Sequence, residues 1–179
     1  MDIYVDATTL IALGNVGELE LLTNFDGQIA VLDSVFEEVT TEPARQRLGR
    51  ICEGTHVQRS SDLDEHNPNI RRSKPILSDD SNAGDVQIIA RVLFTTRNRK
   101  QPVAVVSDDR RVRTVAESLG ATVTGTIGVV VRAVHEGMDT DEAKELVRRL
   151  DSQGLHMTGE LREKAYRLVE EPAEKREDG

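Results

Sequence analysis

A chain of 179 residues with a formal net charge of −9, a single cysteine and 3% aromatic residues is long enough for one domain with a small appendage, burying roughly two-thirds of its unfolded surface. The lone Cys52 excludes an intrachain disulfide framework, no apolar run approaches the ~20 residues of a membrane span, and the N-terminus lacks the charged-then-apolar layout of a signal peptide, so a cytoplasmic protein with no membrane attachment is expected. The acidic balance argues against broad nonspecific nucleic-acid binding, the few aromatics argue against a base-stacking platform, and 18 Arg with 5 Lys on an acidic chain are consistent with a halophilic cytoplasm whose salt screens self-repulsion.

Ile3-Tyr4-Val5 reads as a buried strand that ends in Asp6. A helix is expected from Thr8 or Thr9, with Leu10, Ile11 and Leu13 inward, broken near Gly14 and Gly17. Glu18 to Thr23 forms a further turn, and Gly27 precedes a second strand over 28–32. Asp33 or Ser34 caps a helix carrying Val35, Phe36 and Val39, which leaves Glu38 on another face. Pro43 suits the first turn of a helix over 43–52, weakened by Gly49. Val57 belongs to an edge strand, and the polar stretch 59–76, with its prolines, reads as a long surface loop.

Gly84-Asp85 opens a largely buried helix through Val86, Ile88, Ile89, Val92 and Leu93. Residues 103–107 are the most strand-like run in the chain and lead into Asp108 and Asp109. A helix from Arg110 to Leu119 closes at Gly120, and Val123 lies on a short strand. Thr126 caps a helix that stops at Gly137. Two amphipathic helices follow, over 140–153 and 158–170, separated by Gly154, and 172–179 reads as a disordered tail. Strands alternating with helices imply a parallel sheet with helices on both faces. The division expected is a domain over 1–137, a helical extension over 138–171 packed on it, and the tail.

A carboxylate that follows a strand is delivered to the carboxyl edge of the sheet, where open α/β folds place their ligands. Asp6 and Asp108/Asp109 are of this kind, and Glu38 and Asp85 accompany them in the chain. Acids gathered at one point repel unless a cation neutralises them, and hard divalent cations prefer oxygen ligands. Each acid also has a plainer reading: Asp6, Asp108 and Asp109 as helix caps, Asp85 as a partner of a helix dipole, Glu38 as a solvated surface charge. The basic cluster Arg110-Arg111-Arg113 adjoins the acids, and a guanidinium grips phosphate as a fork.

The segments Tyr4-Val5-Asp6-Ala7-Thr8-Thr9-Leu10-Ile11, Val35-Phe36-Glu37-Glu38-Val39, Gly84-Asp85-Val86-Gln87-Ile88-Ile89-Ala90 and Val106-Ser107-Asp108-Asp109-Arg110-Arg111 resemble, in this order, the PIN-domain family of ribonucleases, including VapC-like toxins of toxin–antitoxin pairs. Gly125-Thr126-Ile127-Gly128 with Arg132-Ala133, then Leu150-Asp151 and Gly154-Leu155, resemble a prokaryotic PIN subfamily with extra C-terminal helices. The resemblance implies a three-layer α/β/α PIN-like fold with a central parallel sheet. It implies a metal-dependent endoribonuclease using Mg²⁺ or Mn²⁺, with Asp6, Glu38, Asp85 and Asp109 as the acids and Asp108 as a substitute or accessory metal ligand. Thr8 and Ser107 match polar positions near the metal, and Arg110 and Arg111 are expected on substrate. An RNA substrate, a small antitoxin partner and a homodimer are the expected partners. Relatives commonly carry two Glu in the third segment, where this chain has Asp85 and Gln87. A non-catalytic PIN-like binding or scaffold protein is the rival reading.

Overall fold

Apolar runs that alternate with helices leave both faces of a sheet to be covered, and five short strands do form one sheet in the computed structural model. The structure describes residues 1–81, 83–155 and 157–177, with side chains to residue 171. The strands are β1 (Asp2–Val5), β2 (Gln28–Leu32), β3 (Val57–Ser60), β4 (Val103–Val106) and β5 (Thr122–Thr124). All pair in parallel, in the order β3-β2-β1-β4-β5. Ile3, Tyr4 and Val5 are all buried, as are Val103, Val105 and Val106, because helices cover both faces of the sheet. Among the described residues no helix is long and apolar enough to cross a membrane.

The helices are α1 (Ala7–Val16), α2 (Asp33–Glu38), α3 (Glu42–Ile51), α4 (Pro68–Leu77), α5 (Gly84–Leu93), α6 (Arg110–Ser118), α7 (Thr126–His135), α8 (Thr140–Leu150) and α9 (Gly159–Glu177). On one face α1 packs on α3, α7 and α8, and α9 packs on α7 and α8. On the other, α5 packs on α2, α4 and α6. The chain winds from β1 outward through β2 to β3, then returns to β4 and continues to β5 on the opposite side of β1. Strand order therefore reverses between β1 and β4, the crevice where sheets of this kind bind ligands. In register Val5 lies opposite Val106, so the residues that follow each strand leave the sheet level with each other.

Several elements differ from the sequence expectation, each for a local reason. Helix α1 runs through Gly14 instead of breaking there; a Cβ at Gly14 would lie 2.6 Å from the Ala44 Cβ, so glycine lets α1 and α3 approach. The helix ends at Gly17, whose φ of 84° is left-handed. Its cap is Asp6, not Thr8 or Thr9. The expected loop over 59–76 contains α4: Asn67 caps it, Pro68 occupies its first turn, and Ile70, Ser73 and Leu77 are buried. The preceding loop is tied down, with the Asp62 carboxylate accepting from Ser34 N–H and Oγ and the Arg91 guanidinium donating to Ser61 O.

Helix α5 passes into a π-helical segment, Phe94–Arg99, that ends on Lys100 at φ 53°. Helix α7 is capped by Gly125, one residue before the Thr126 expected there, and α8 begins at 140 as expected, capped by Asp139. Helix α8 stops at Leu150 and a bend over Asp151–Leu155 leads to α9, where Ala165 and Val169 are buried. Lys144 pairs with Glu170 at 2.6 Å across α8 and α9, and Arg149 pairs with Glu18 at 3.2 Å. Helix α9 continues to Glu177, through Pro172, where the sequence reading began a tail. The residues past Pro172 include Ala, Glu, Lys and Arg, all good helix formers. Asp178 and Gly179 lie outside the described residues.

Two glycine substitutions separate close approach from helix propensity. Gly14→Ala drives its Cβ into Ala44 and is expected to cost about 1–3 kcal/mol. Gly49→Ala, in α3 with nothing within 4 Å of its Cβ position, is expected to gain about 0.5–1 kcal/mol. Chemical denaturation of both variants against the parent checks the opposite signs.

Candidate functional site

Asp6 leaves β1 at the crevice, with its own N–H donating to Val106 O at 3.0 Å. Its side chain is only 3% exposed. One carboxylate oxygen accepts from Thr9 N–H at 2.7 Å, closing the first turn of α1, and the other accepts from Ser107 Oγ at 2.5 Å. Ser107, fully buried after β4, also accepts from Asp109 N–H at 3.1 Å. One hydroxyl thus fixes the Asp6 carboxylate and the backbone of Asp109 relative to each other.

Asp109 caps α6: its Oδ1 accepts from Arg111 N–H at 2.6 Å and Val112 N–H at 3.1 Å. Asp108 faces the other way. Its two oxygens accept from Thr126 N–H at 2.9 Å and from Thr126 Oγ1, seating the start of α7. A Cβ at Gly125 would lie 2.5 Å from Asp108 Oδ1, so this seat requires glycine.

Glu38 and Asp85 arrive from the α5 side. Glu38 ends α2, where a negative charge faces that helix's own negative pole. It is accommodated because its Oε1 accepts from Gly84 N–H at 2.7 Å, at the positive start of α5. A Cβ at Gly84 would stand 2.7 Å from Val35 Cγ2 and 3.2 Å from the Glu38 carboxylate. The glycine before Asp85 is therefore what admits Glu38. Asp85, next in the chain, pairs with Arg111 at 3.2 Å, and the same guanidinium donates to Leu77 O at 2.9 Å.

Like charges crowd this rim. Burial pushes the Asp6 carboxyl above its ordinary value, the Ser107 and Thr9 hydrogen bonds oppose that, and the Asp108 charge adds to it. Burial pushes Asp85 up first, the charges of Asp109 and Asp6 push it further, Arg111 opposes, and Glu38 adds a smaller push. The charges of Asp6, Glu38 and Asp109 thus all reach Asp85. Among the described residues Glu38 Oε2, Asp85 Oδ1 and Asp109 Oδ2 have no hydrogen-bond donor. An all-oxygen set with three such atoms suits a hard divalent cation in chemistry. Among the described residues, however, no three acids stand close enough to one point to hold an ion as they are.

The expected polar contacts fall into two groups. Ser107 and Arg111 are part of the site; Thr8 and Arg110 are exposed beside it, Thr8 lining a cleft with Ile11, Gln153 and Leu155. Gln87 is 2% exposed and holds Leu63 with both ends of its amide, accepting from its N–H at 2.9 Å and donating to its carbonyl at 3.1 Å. The position at which the motif resemblance implies a second Glu thus anchors a loop. Sequence reasoning did not find Gly84 as the cradle of Glu38 or Thr126 as the partner of Asp108. The Gly-Asp pairing at 84–85 was the available signal for the first; the second had none.

Compared with models of protein families, the chain matches one described as a PIN domain over residues 2–171. A comparison with curated proteins gave no match.

The raised carboxyls set a sign for stability. A group that binds its proton more tightly folded than unfolded supports the fold below its unfolded pKa, and that support is lost as pH rises through the folded value. For Asp85 this window opens above the ordinary 3.8. In metal-free buffer, Asp85→Asn is expected to melt higher than the parent at neutral pH, with the gap closing toward about pH 4. Thermal melts of both proteins across that range check it; a gap that widens on acidification contradicts the assigned repulsion.

Proposed function

This chain belongs to the PIN-domain family, a nuclease fold typically served by divalent metal ions, and from that premise we propose that it is an Mg²⁺- or Mn²⁺-dependent endoribonuclease that hydrolyses RNA phosphodiester bonds. The observation that carries the reading is the rim of Asp6, Glu38, Asp85 and Asp109, where burial first and then the neighbouring carboxylates raise Asp85, and which offers three oxygens without donors among the described residues. Those four acids would hold the ion. Bound there, it supplies an acidified water and neutralises charge developing on the phosphate.

The chain's own residues do the rest. Ser107 keeps Asp6 and Asp109 in register. Asp108, also expected as a ligand, is assigned the seating of α7 through Thr126. Arg111 pairs with Asp85 and offers a guanidinium to a substrate phosphate, with Arg110 next to it in the chain and exposed, and Thr8 exposed on the first turn of α1. Resemblance of the motif segments to VapC-like toxins extends the proposal to a toxin restrained by a small antitoxin protein and to a homodimer; co-expression with the product of the adjoining reading frame tests the first. A non-catalytic binding protein on the same fold is favoured by one observation, the lack of three acids at a common point among the described residues.

Asp6→Asn and Asp109→Asn decide between the two readings. Asn caps a helix about as well as Asp, so both variants keep the caps of α1 and α6 while losing a charge. Each is expected to lower Mn²⁺-dependent RNA cleavage more than about a hundredfold, beyond the usual cost of disturbing a ligand's support, with the circular dichroism spectrum unchanged. A parent protein that cleaves no RNA with Mn²⁺, or variants as active as the parent, would favour the binding protein.

A further inference from the structure

We propose that the cleft between α7 and α9 is a subsite for the nucleotide flanking the scissile phosphate of the RNA substrate; this rests on the ribonuclease reading. The cleft has a volume of about 380 Å³, within the range of pockets that hold a small organic ligand. Asp108, Thr124 and Gly125 belong to its lining, and all three lie at the carboxyl ends of β4 and β5, the sheet edge from which Asp109 also leaves. Its outer wall is a stripe of α9: Leu161, Lys164, Ala165 and Leu168, at helical spacing. Ile127 of α7 lies across from that stripe, and Arg113 of α6 completes the lining.

Two features give the cleft its occupant. Leu161 is 46% and Leu168 36% exposed, two of only four large apolar side chains so exposed among the described residues. Two turns apart on α9, they give the cleft an apolar wall. Arg113 and Lys164 also line it; among the described residues neither pairs with a carboxylate, and the one acid in the lining, Asp108, is engaged by Thr126. On a chain of net charge −9, two unpaired cations beside an aliphatic wall complement an anionic ligand with one flat apolar part. A nucleotide has that form: its phosphate meets Arg113 and Lys164, and its base lies against Ile127, Leu161 and Leu168. The lining has no aromatic residue, so the subsite reads shape and charge more than base identity.

The test measures kcat/KM for Mn²⁺-dependent cleavage of a labelled 12-nucleotide RNA as a function of salt, for the full-length parent and Arg113→Gln/Lys164→Gln. A 4-thiouridine crosslink from the same RNA is mapped by mass spectrometry. Loss of the one phosphate contact that both side chains share is expected to raise KM about tenfold and to make the log–log salt slope shallower by about 0.7 for a single strand. The crosslink is expected on the peptide carrying Leu161 to Leu168. If the parent cleaves RNA but the variant keeps its KM and salt slope and the crosslinks fall elsewhere, the subsite is wrong and the ribonuclease stands. If the parent cleaves no RNA, both fall. A variant that converts a dimer to a monomer with its KM unchanged gives the cleft to a second copy of the chain and overturns the proposal.

Discussion

Burial of carboxylates within reach of one another's charge is the constraint that shapes this rim of the molecule. Asp6, Glu38, Asp85 and Asp109 come from four separate segments, and the charges of the other three reach Asp85. Each is held there by donors that suit a negative charge. Asp6 and Asp109 are aligned by the first turns of α1 and α6, Glu38 by the start of α5, and Asp85 by a guanidinium. Helix N-termini point at the rim because a parallel sheet places the start of each following helix at its carboxyl edge. The fold thus sets like charges within reach of one another and offsets them with helix N-termini and a guanidinium; on the proposed function a cation completes the balance.

Rigidity at the rim comes from small residues and short bridges. Gly84 admits the Glu38 carboxylate and Gly125 admits that of Asp108, and in both places a methyl group would collide with a neighbour. Ser107 does for β1 and β4 what no backbone pair does: it links the side chain after one strand to the backbone after the other. The parts that vary in role lie farther out. Gln87 turns from the rim to hold the loop at Leu63, and the C-terminal helix α9 brings Lys164 to a cleft that Arg113 of α6 and Asp108 also line.

Local chemistry was readable in the sequence; long-range chemistry was not. Strands β1 and β4 announce themselves as apolar runs that end in a carboxylate, and their level register follows from both ends being buried. Asp6 and Asp109 were expected at this edge for the same reason, and Glu38 and Asp85 only from the order of the motif segments along the chain. Helix α4 was hidden because its surface is polar and its buried side is only Ile70, Ser73 and Leu77, although Asn67-Pro68 is a start signal. Gly14 reads as a breaker until Ala44 is placed against it. Glu38 reads as a surface charge because its partner, Gly84, is 46 residues away, and Asp108 reads as a metal ligand because Thr126 is 18 residues away. Pairings of that kind are fixed by the topology, which no local spacing encodes.

Crystals grown without metal and then soaked in Mn²⁺, with anomalous difference density recorded, test the proposed cation site most directly. The account predicts a Mn²⁺ peak within about 2.5 Å of oxygens from at least three of Asp6, Glu38, Asp85 and Asp109. Crystals that leave this rim empty while taking up Mn²⁺ elsewhere, or that take up none at millimolar concentration, would contradict it.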